Sequence, residues 1–259
     1  MNPTTLPVWR RVGIDLRLAL MCVLLAALGI GFHILSGGVF LSPENLYNVA
    51  QQTAVVGIVS TVMVLIIVAR HIDLSVGSVM GFVGVLIAYL QYTSGWSWQT
   101  ACLAGLAVAL LVSIYQGWLT AVLGVPSFVV TLGGLMSFRG AAFLVADGKT
   151  QPVNDEFFQR LGGGYDGGIG ATWTWVLAAF VAVVLVARML QRRRTRLRHG
   201  MPVEPLWLEL ALLAVPIAVV LAFAWVMNSY RISGKDEAQG LPIPVLIWAV
   251  VAVVLSFLV

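Results

Sequence analysis

The 259 residues are 60% hydrophobic and only 10% charged, with a mean hydropathy of +0.96 and a formal net charge of +4. A water-soluble domain of this length cannot hide so much apolar surface, so the chain must be solvated by lipid. Cys22 and Cys102 both fall in apolar runs without metal-ligand spacing. They read as inert buried thiols, not as a disulfide or a metal site.

Arg10, Arg11 and Arg17 precede an apolar run from Leu18 to Leu35. The run is long for a secretory signal, which favours an uncleaved first helix. A polar stretch, Ser36 to Asn48, leads to Val49–Ala69, which is 21 residues without a charge. The polar segment Arg70-His71-Ile72-Asp73-Leu74-Ser75-Val76-Gly77 follows, overlapping an apolar run from Leu74 to Tyr92. Each run is about 30 Å long as a helix, enough to cross a bilayer core. Small residues line one face of each: Ala50, Ala54, Gly57 and Thr61, then Gly77, Gly81, Gly84 and Ala88. Lipid offers helices no hydrophobic reason to associate, so small faces that allow close backbone approach are how they pack.

Trp96 and Trp98 suit a membrane–water boundary. A fourth span, Ala101 to Leu123, carries Ala101, Gly105, Ala109 and Ser113 at helical spacing, with Gln116-Gly117 near its end. Gly124-Val125-Pro126-Ser127 breaks the chain, and Pro126 fits the first turn of the next helix. Phe128 to Ala146 follows, interrupted by Gly133-Gly134 and containing Arg139. Residues 147–172 are the longest polar segment; their Gly162-Gly163-Gly164 and Gly167-Gly168 runs match phosphate-cradling loops in composition alone, since no Lys-Ser/Thr follows. Trp173 and Trp175 open a sixth span that closes on Arg188, with Arg192, Arg193, Arg194, Arg196 and Arg198 in a polar loop beyond it. A seventh span, Leu206 to Met227, holds Pro216, where a kink is predicted. Residues 228–242 form a polar loop before a last apolar run to Val259.

The expected fold is all-α: a polytopic transmembrane bundle of about eight spans in one domain, 1–259, with a cytoplasmic N-terminus. That orientation gives the inner side ten bases (Arg10, Arg11, Arg17, Arg70 and the six arginines from 188 to 198). The outer side receives Lys149, Arg160, Arg231 and Lys235. Bases concentrate in short cytoplasmic loops, so this split sets the topology. The arginine run reads as part of that signal and not as a nucleic-acid patch.

Catalysis finds no support. His33, His71 and His199 pair with no evident nucleophile, and His-Glu-x-x-His, Gly-x-Ser-x-Gly and Cys-x-x-Cys are absent. No catalytic residue and no metal ligand is assigned. The polar residues within or between spans, Asp73, Ser75, Gln116, Thr131 and Arg139, are candidates for a translocation path or a structural polar network. Asp73 either caps a helix starting at Leu74 or, with Ser75, lines a polar break. Arg139 is the twelfth residue of its span, about 16 Å in by helical rise. It either serves a path or bundle, the default for a charge at that depth, or snorkels from a helix broken at Gly133-Gly134. Gly57, Gly77, Gly81, Gly84, Gly105, Gly133 and Gly134 are the candidates for helix packing.

Three blocks occur in order: Ile72-Asp73-Leu74-Ser75-Val76-Gly77-Ser78, then Val125-Pro126-Ser127-Phe128-Val129-Val130-Thr131-Leu132-Gly133-Gly134, then Phe138-Arg139-Gly140. Together they resemble the permease subunits of bacterial monosaccharide ABC importers, the ribose/xylose/arabinose/galactoside group, from about Leu41 to the end. Within that group Asn228-Ser229-Tyr230-Arg231 and Leu241-Pro242-Ile243-Pro244-Val245-Leu246 are most similar to the xylose type. Two departures stand out. Many members have Gly-Gly where this chain has Arg70-His71, and members tend to have Asn where it has Gln116.

The resemblance implies a multi-pass permease of the bacterial inner membrane that translocates a pentose, xylose first, or a related monosaccharide. It implies a second permease copy, a periplasmic sugar-binding protein and cytoplasmic ATP-binding subunits. ATP is then used by those subunits, and this chain needs no cofactor of its own. Membrane lipid is the remaining partner, and nucleic acid is not one. Members carry a coupling helix in a loop after the stretch present here, so the chain is expected to stop before that loop. The alternative is a secondary transporter driven by an ion gradient. It would want membrane-embedded acids, and spans 18–35, 49–69, 101–123 and 128–146 contain none.

Overall fold

The computed structural model describes residues 16–164, 166–203, 205–232 and 236–258. Arg10, Arg11, Lys235 and Val259 therefore lie outside the described residues. The described chain is helical: α1 (Leu16–Leu35), α2 (Pro43–Val68), α3 (Val76–Tyr92), α4 (Trp98–Ala121), α5 (Ser127–Ala146), α6 (Glu156–Leu161), α7 (Ala171–Arg198), α8 (Leu206–Ser229) and α9 (Ile243–Leu258). Among these, α2, α4, α5, α7 and α8 are long and apolar enough to cross a membrane. Shorter apolar stretches, Ala19–Leu35, Val76–Tyr92 and Ile243–Ser256, lie in α1, α3 and α9.

Several helix ends differ from the boundaries read in the sequence. The polar stretch 36–48 is not all loop: Ser42 accepts a bond from the Asn45 N–H, Pro43 occupies the first turn, and α2 starts there. The predicted break at Gly133-Gly134 does not occur, and α5 runs through it. Helix α8 continues as one helix across Pro216, the position of the predicted kink. The largest correction concerns the arginines, which form the last turns of α7 and not a loop. Arginine is a good helix former, and positive charge is favoured at a helix C-terminus. Gly200, at φ 64, stands just past the His199 cap where the helix ends. Cys22 and Cys102 are free as expected, but neither is buried: Cys22 is exposed and Cys102 half-buried.

The helices pack in two sets. In the first, α3 packs on α4 and α5, which also touch each other. In the second, α9 lies on α2, α2 on α8, and α8 on α7. The short α6 touches α9, and its Phe157 stacks on Trp98 of α4 at 4.3 Å between centroids. Among the described residues, the buried apolar side chains are mostly alanines: Ala54, Ala88, Ala101, Ala146, Ala178 and Ala224. Leucines, valines and phenylalanines crowd the outside instead. That inversion is what a lipid solvent demands, with small residues between helices and large ones toward the acyl chains.

The glycine-rich runs have a structural use. Segment 166–170 crosses segment 239–243, with Gly170 N donating to Gln239 O at 2.9 Å and Ile243 N to Gly167 O at 2.9 Å. A Cβ at Gly168 would strike the Gln239 carbonyl, and one at Gly167 would strike the backbone of Gly163. Backbone-to-backbone contact, and not phosphate, accounts for these glycines.

Candidate polar site at the turn between α2 and α3

Helix α2 ends because Arg70 adopts a left-handed conformation, φ 62. Its N–H then donates to Ile67 O at 2.9 Å, while the His71 N–H reaches Ile66 O at 3.0 Å. This is a C-terminal cap of the type that favours glycine. The Gly-Gly noted in similar permeases fits the same geometry, which Arg70 adopts at a steric cost of about 1–2 kcal/mol.

Beyond the cap the chain is non-helical and pinned to the start of α5. Ile72 N donates to Ser127 Oγ at 3.2 Å, and Thr131 Oγ1 lies 3.2 Å from Ile72 O. Asp73 Oδ1 accepts both from the Ser75 N–H and from Ser75 Oγ, each at 2.7 Å. The expected cap at Leu74 is thus corrected: α3 begins at Val76, with Ser75 as its N-cap residue. Asp73 binds the residue two positions on, a local turn that competes with helix and delays its start.

Ser75 is 1% exposed and Thr131 6%. Ser75 Oγ also lies 3.1 Å from Gln116 Oε1 on α4. A hydroxyl has one proton, and the shorter contact to a carboxylate claims it. Ser75 Oγ is left as an acceptor, so it pairs with Gln116 when the amide turns its NH2 toward it. The other end of that amide lies against Gly134, where Gln116 Nε2 as placed is buried without a partner. A Cβ at Gly134 would collide with this amide and come within 3.1 Å of Ser75 Cβ. Only glycine leaves room there.

The fold therefore brings Asp73, Ser75, Gln116, Thr131 and Gly134 to one joint between the ends of α3, α4 and α5. Arg139 is elsewhere: it is exposed midway along α5, with no hydrogen bond or ion pair to any described residue. Gly57 receives the Trp248 ring and Gly105 the Ile87 side chain, each 2.5 Å from where a Cβ would sit. Gly77, Gly81, Gly84 and Gly133 face open space. Sequence reasoning missed Ser127 as a partner of the hinge and Thr61 as the acceptor for Trp248 Nε1, at 3.1 Å. The polar character of Ser127 beside a proline was the available signal for the first; nothing signalled the second.

The joint offers hydroxyls, a carboxamide and a carboxylate, groups that bind by hydrogen bonds. No group of three or more His, Cys, Asp or Glu side chains suited to a metal exists among the described residues. Residues 45–195 match the family described as branched-chain amino acid transport system / permease component. The xylose transport system permease protein XylH of Haemophilus influenzae is 30% identical over 95% of this chain and 62% of its own length. Its namesake in Escherichia coli strain K12 is 30% identical over 90% and 57%. The fructose import permease protein FrcC of Rhizobium meliloti is 32% identical over 49% of this chain and 35% of its own. The chain thus spans about three-fifths the length of the two xylose permeases. No solved structure matches it. A helical chain with several membrane-length apolar helices, matched over more than half its length by that family, belongs to this ABC-importer permease family.

Proposed function

We propose that this chain is the membrane-spanning subunit of an ATP-driven monosaccharide importer, with a pentose, xylose first, as its cargo. In this reading eight spans cross the bacterial inner membrane with the N-terminus inside. ATP-binding subunits act on the cytoplasmic side, a sugar-binding protein delivers cargo from outside, and a second permease copy completes the path. The relatives named for xylose support the choice of sugar.

The observation that carries the reading is the joint. Block 72–78 and block 125–134, which bear the likeness to sugar permeases, are far apart in sequence yet meet through Ile72–Ser127 and Ile72–Thr131, while Ser75 reaches Gln116 on α4. Residues that recur together in permeases here couple two helix turns on one side of the bundle. Such a polar coupling suits a protein that must move helices and still hold them in register. It is also a poor ion site for a gradient-driven carrier, since Asp73 is its single acid and is bonded to Ser75.

The test is uptake of labelled xylose by vesicles holding a complete transporter that contains this chain, together with its ATP-binding and sugar-binding partners. Uptake is expected to persist when ion gradients are collapsed and to stop when ATP is removed. Uptake that follows the gradient and ignores ATP would overturn the reading.

A further inference from the structure

At the arginine-rich end of α7, three side chains stand in a column beside a groove. Arg188, Arg192 and Arg196 are spaced four apart and so share one helix face. At ~1.5 Å per residue the 28-residue α7 is about 42 Å long, about two turns more than a 30 Å hydrocarbon core. Measured from Ala171, Arg188 lies about 26 Å along, Arg192 about 32 Å and Arg196 about 38 Å. The column therefore crosses the layer where lipid phosphates sit.

The groove beside it, between α7 and α8, has a volume of about 600 Å³. Its floor is apolar, formed by Leu185, Met189, Leu212 and Pro216. Pro216 is ten residues into α8, so the floor reaches about 15 Å toward the bilayer centre. Its wall is fixed by an ion pair, Arg193 to Glu209 at 2.7 Å, with side chains only 24% and 17% exposed. Glu209 is thus engaged by Arg193. Arg188, Arg192 and Arg196 are exposed and make no hydrogen bond or ion pair with any described residue. A second cavity of about 570 Å³ opens on the other side of the same three arginines.

We infer that this groove is a binding site for an anionic phospholipid. Its phosphate sits on the guanidinium forks of Arg192 and Arg196, with Arg188 below, and an acyl chain follows the floor to Pro216. A basic column alone would serve as a topology signal. An apolar floor running inward from it matches a ligand with a charged head and a long tail, which neither nucleic acid nor an acidic peptide has. A lipid held there braces the α7–α8 pair.

The chain is reconstituted in nanodiscs of equal phosphatidylglycerol and phosphatidylcholine, released, and its retained lipid measured by native mass spectrometry. Phosphatidylglycerol is expected to be retained about fivefold or more over phosphatidylcholine. Arg192→Gln/Arg196→Gln is expected to abolish that preference. Arg194→Gln/Arg198→Gln removes the same charge from outside the groove lining and is expected to keep it. Leu212→Trp fills the floor without changing charge and is expected to lower retention as well, so the result does not hang on one variant. Equal retention of both lipids by the unaltered chain, or equal loss in the two double variants, would overturn the proposal.

Discussion

The Trp248 indole N–H donates to Thr61 Oγ1 at 3.1 Å, and the same ring fills the space above Gly57. One tryptophan thus joins α9 to α2 by a hydrogen bond and by a fit that needs the absence of a side chain. The two contributions are separable. Interhelical hydrogen bonds in membranes average about 0.6 kcal/mol, whereas overpacking a tight contact costs about 1–3 kcal/mol. Gly57→Ala is therefore expected to destabilise the chain more than Thr61→Val, which removes the acceptor and keeps the shape, by unfolding in mixed micelles. The reverse order would mean that the bond, and not the fit, holds α9 in place.

A similar relation at the joint predicts non-additivity. Gly134→Ala places a methyl group against the Gln116 amide and near Ser75 Cβ. It is expected to cost about 1–3 kcal/mol by overpacking. Gln116→Ala alone loses the contact to Ser75 and leaves a void. Combined, each substitution removes the other's obstacle, so the double variant should fall short of the sum by about 1 kcal/mol. Additive losses in the same unfolding assay would show that the amide moves freely off Gly134.

How much of this was legible beforehand depends on the kind of signal. Uninterrupted apolar runs located the helices, because lipid selects for them directly. The ends were harder. Residues 43–48 and 189–198 are helical though polar or charged, since arginine, glutamate and a serine cap favour helix without contributing hydropathy. Asp73 was visible as a polar exception at a helix start, but its bond to Ser75 moved that start to Val76. The glycines show the deepest limit. Gly57 and Gly105 look like Gly77 and Gly81 in sequence, yet only the first two meet a side chain across a helix contact. Periodicity names a face; it does not name what lies opposite.

Asp73 separates charge from hydrogen bonding. Its Oδ1 accepts two bonds from Ser75, and an asparagine oxygen can accept the same two. Asp73→Asn is expected to keep stability and uptake, while Asp73→Ala loses about 0.5–2 kcal/mol, as for other side chains that bind free amides at a helix start. Loss of uptake in a stable Asp73→Asn variant would assign the work to the negative charge.

Arg139 carries the opposite expectation. It is exposed midway along α5 and bonded to no described residue, so the fold of this chain does not lean on it. Arg139→Leu is expected to leave unfolding unchanged and to make insertion of α5 more favourable by about 2.5–3.5 kcal/mol, the cost of a central arginine on insertion scales. Uptake should nonetheless fall in a complete transporter, because a charge kept at that depth needs a partner or a water-filled path. Full uptake by the stable variant would show that the side chain only reaches toward the interface.

Orientation is the remaining expectation that a direct measurement can settle, and the structure refines where to make it. Gly163 is a poor place for a probe, being buried at φ 77 against Gln51 and Pro244. Asn154 is exposed in the same segment, between α5 and α6. Thr195 is exposed near the far end of α7, some 36 Å from Ala171 by helical rise of ~1.5 Å per residue. In a cysteine-free background, Thr195→Cys is expected to react with an impermeant maleimide only in inside-out vesicles, and Asn154→Cys only in right-side-out ones. In the proposed orientation the arginines from 188 to 198 would put the first inside, and one crossing by α7 would put the second outside. Reaction of both from the same side would mean that α7 does not cross, and the eight-span arrangement would fall with it.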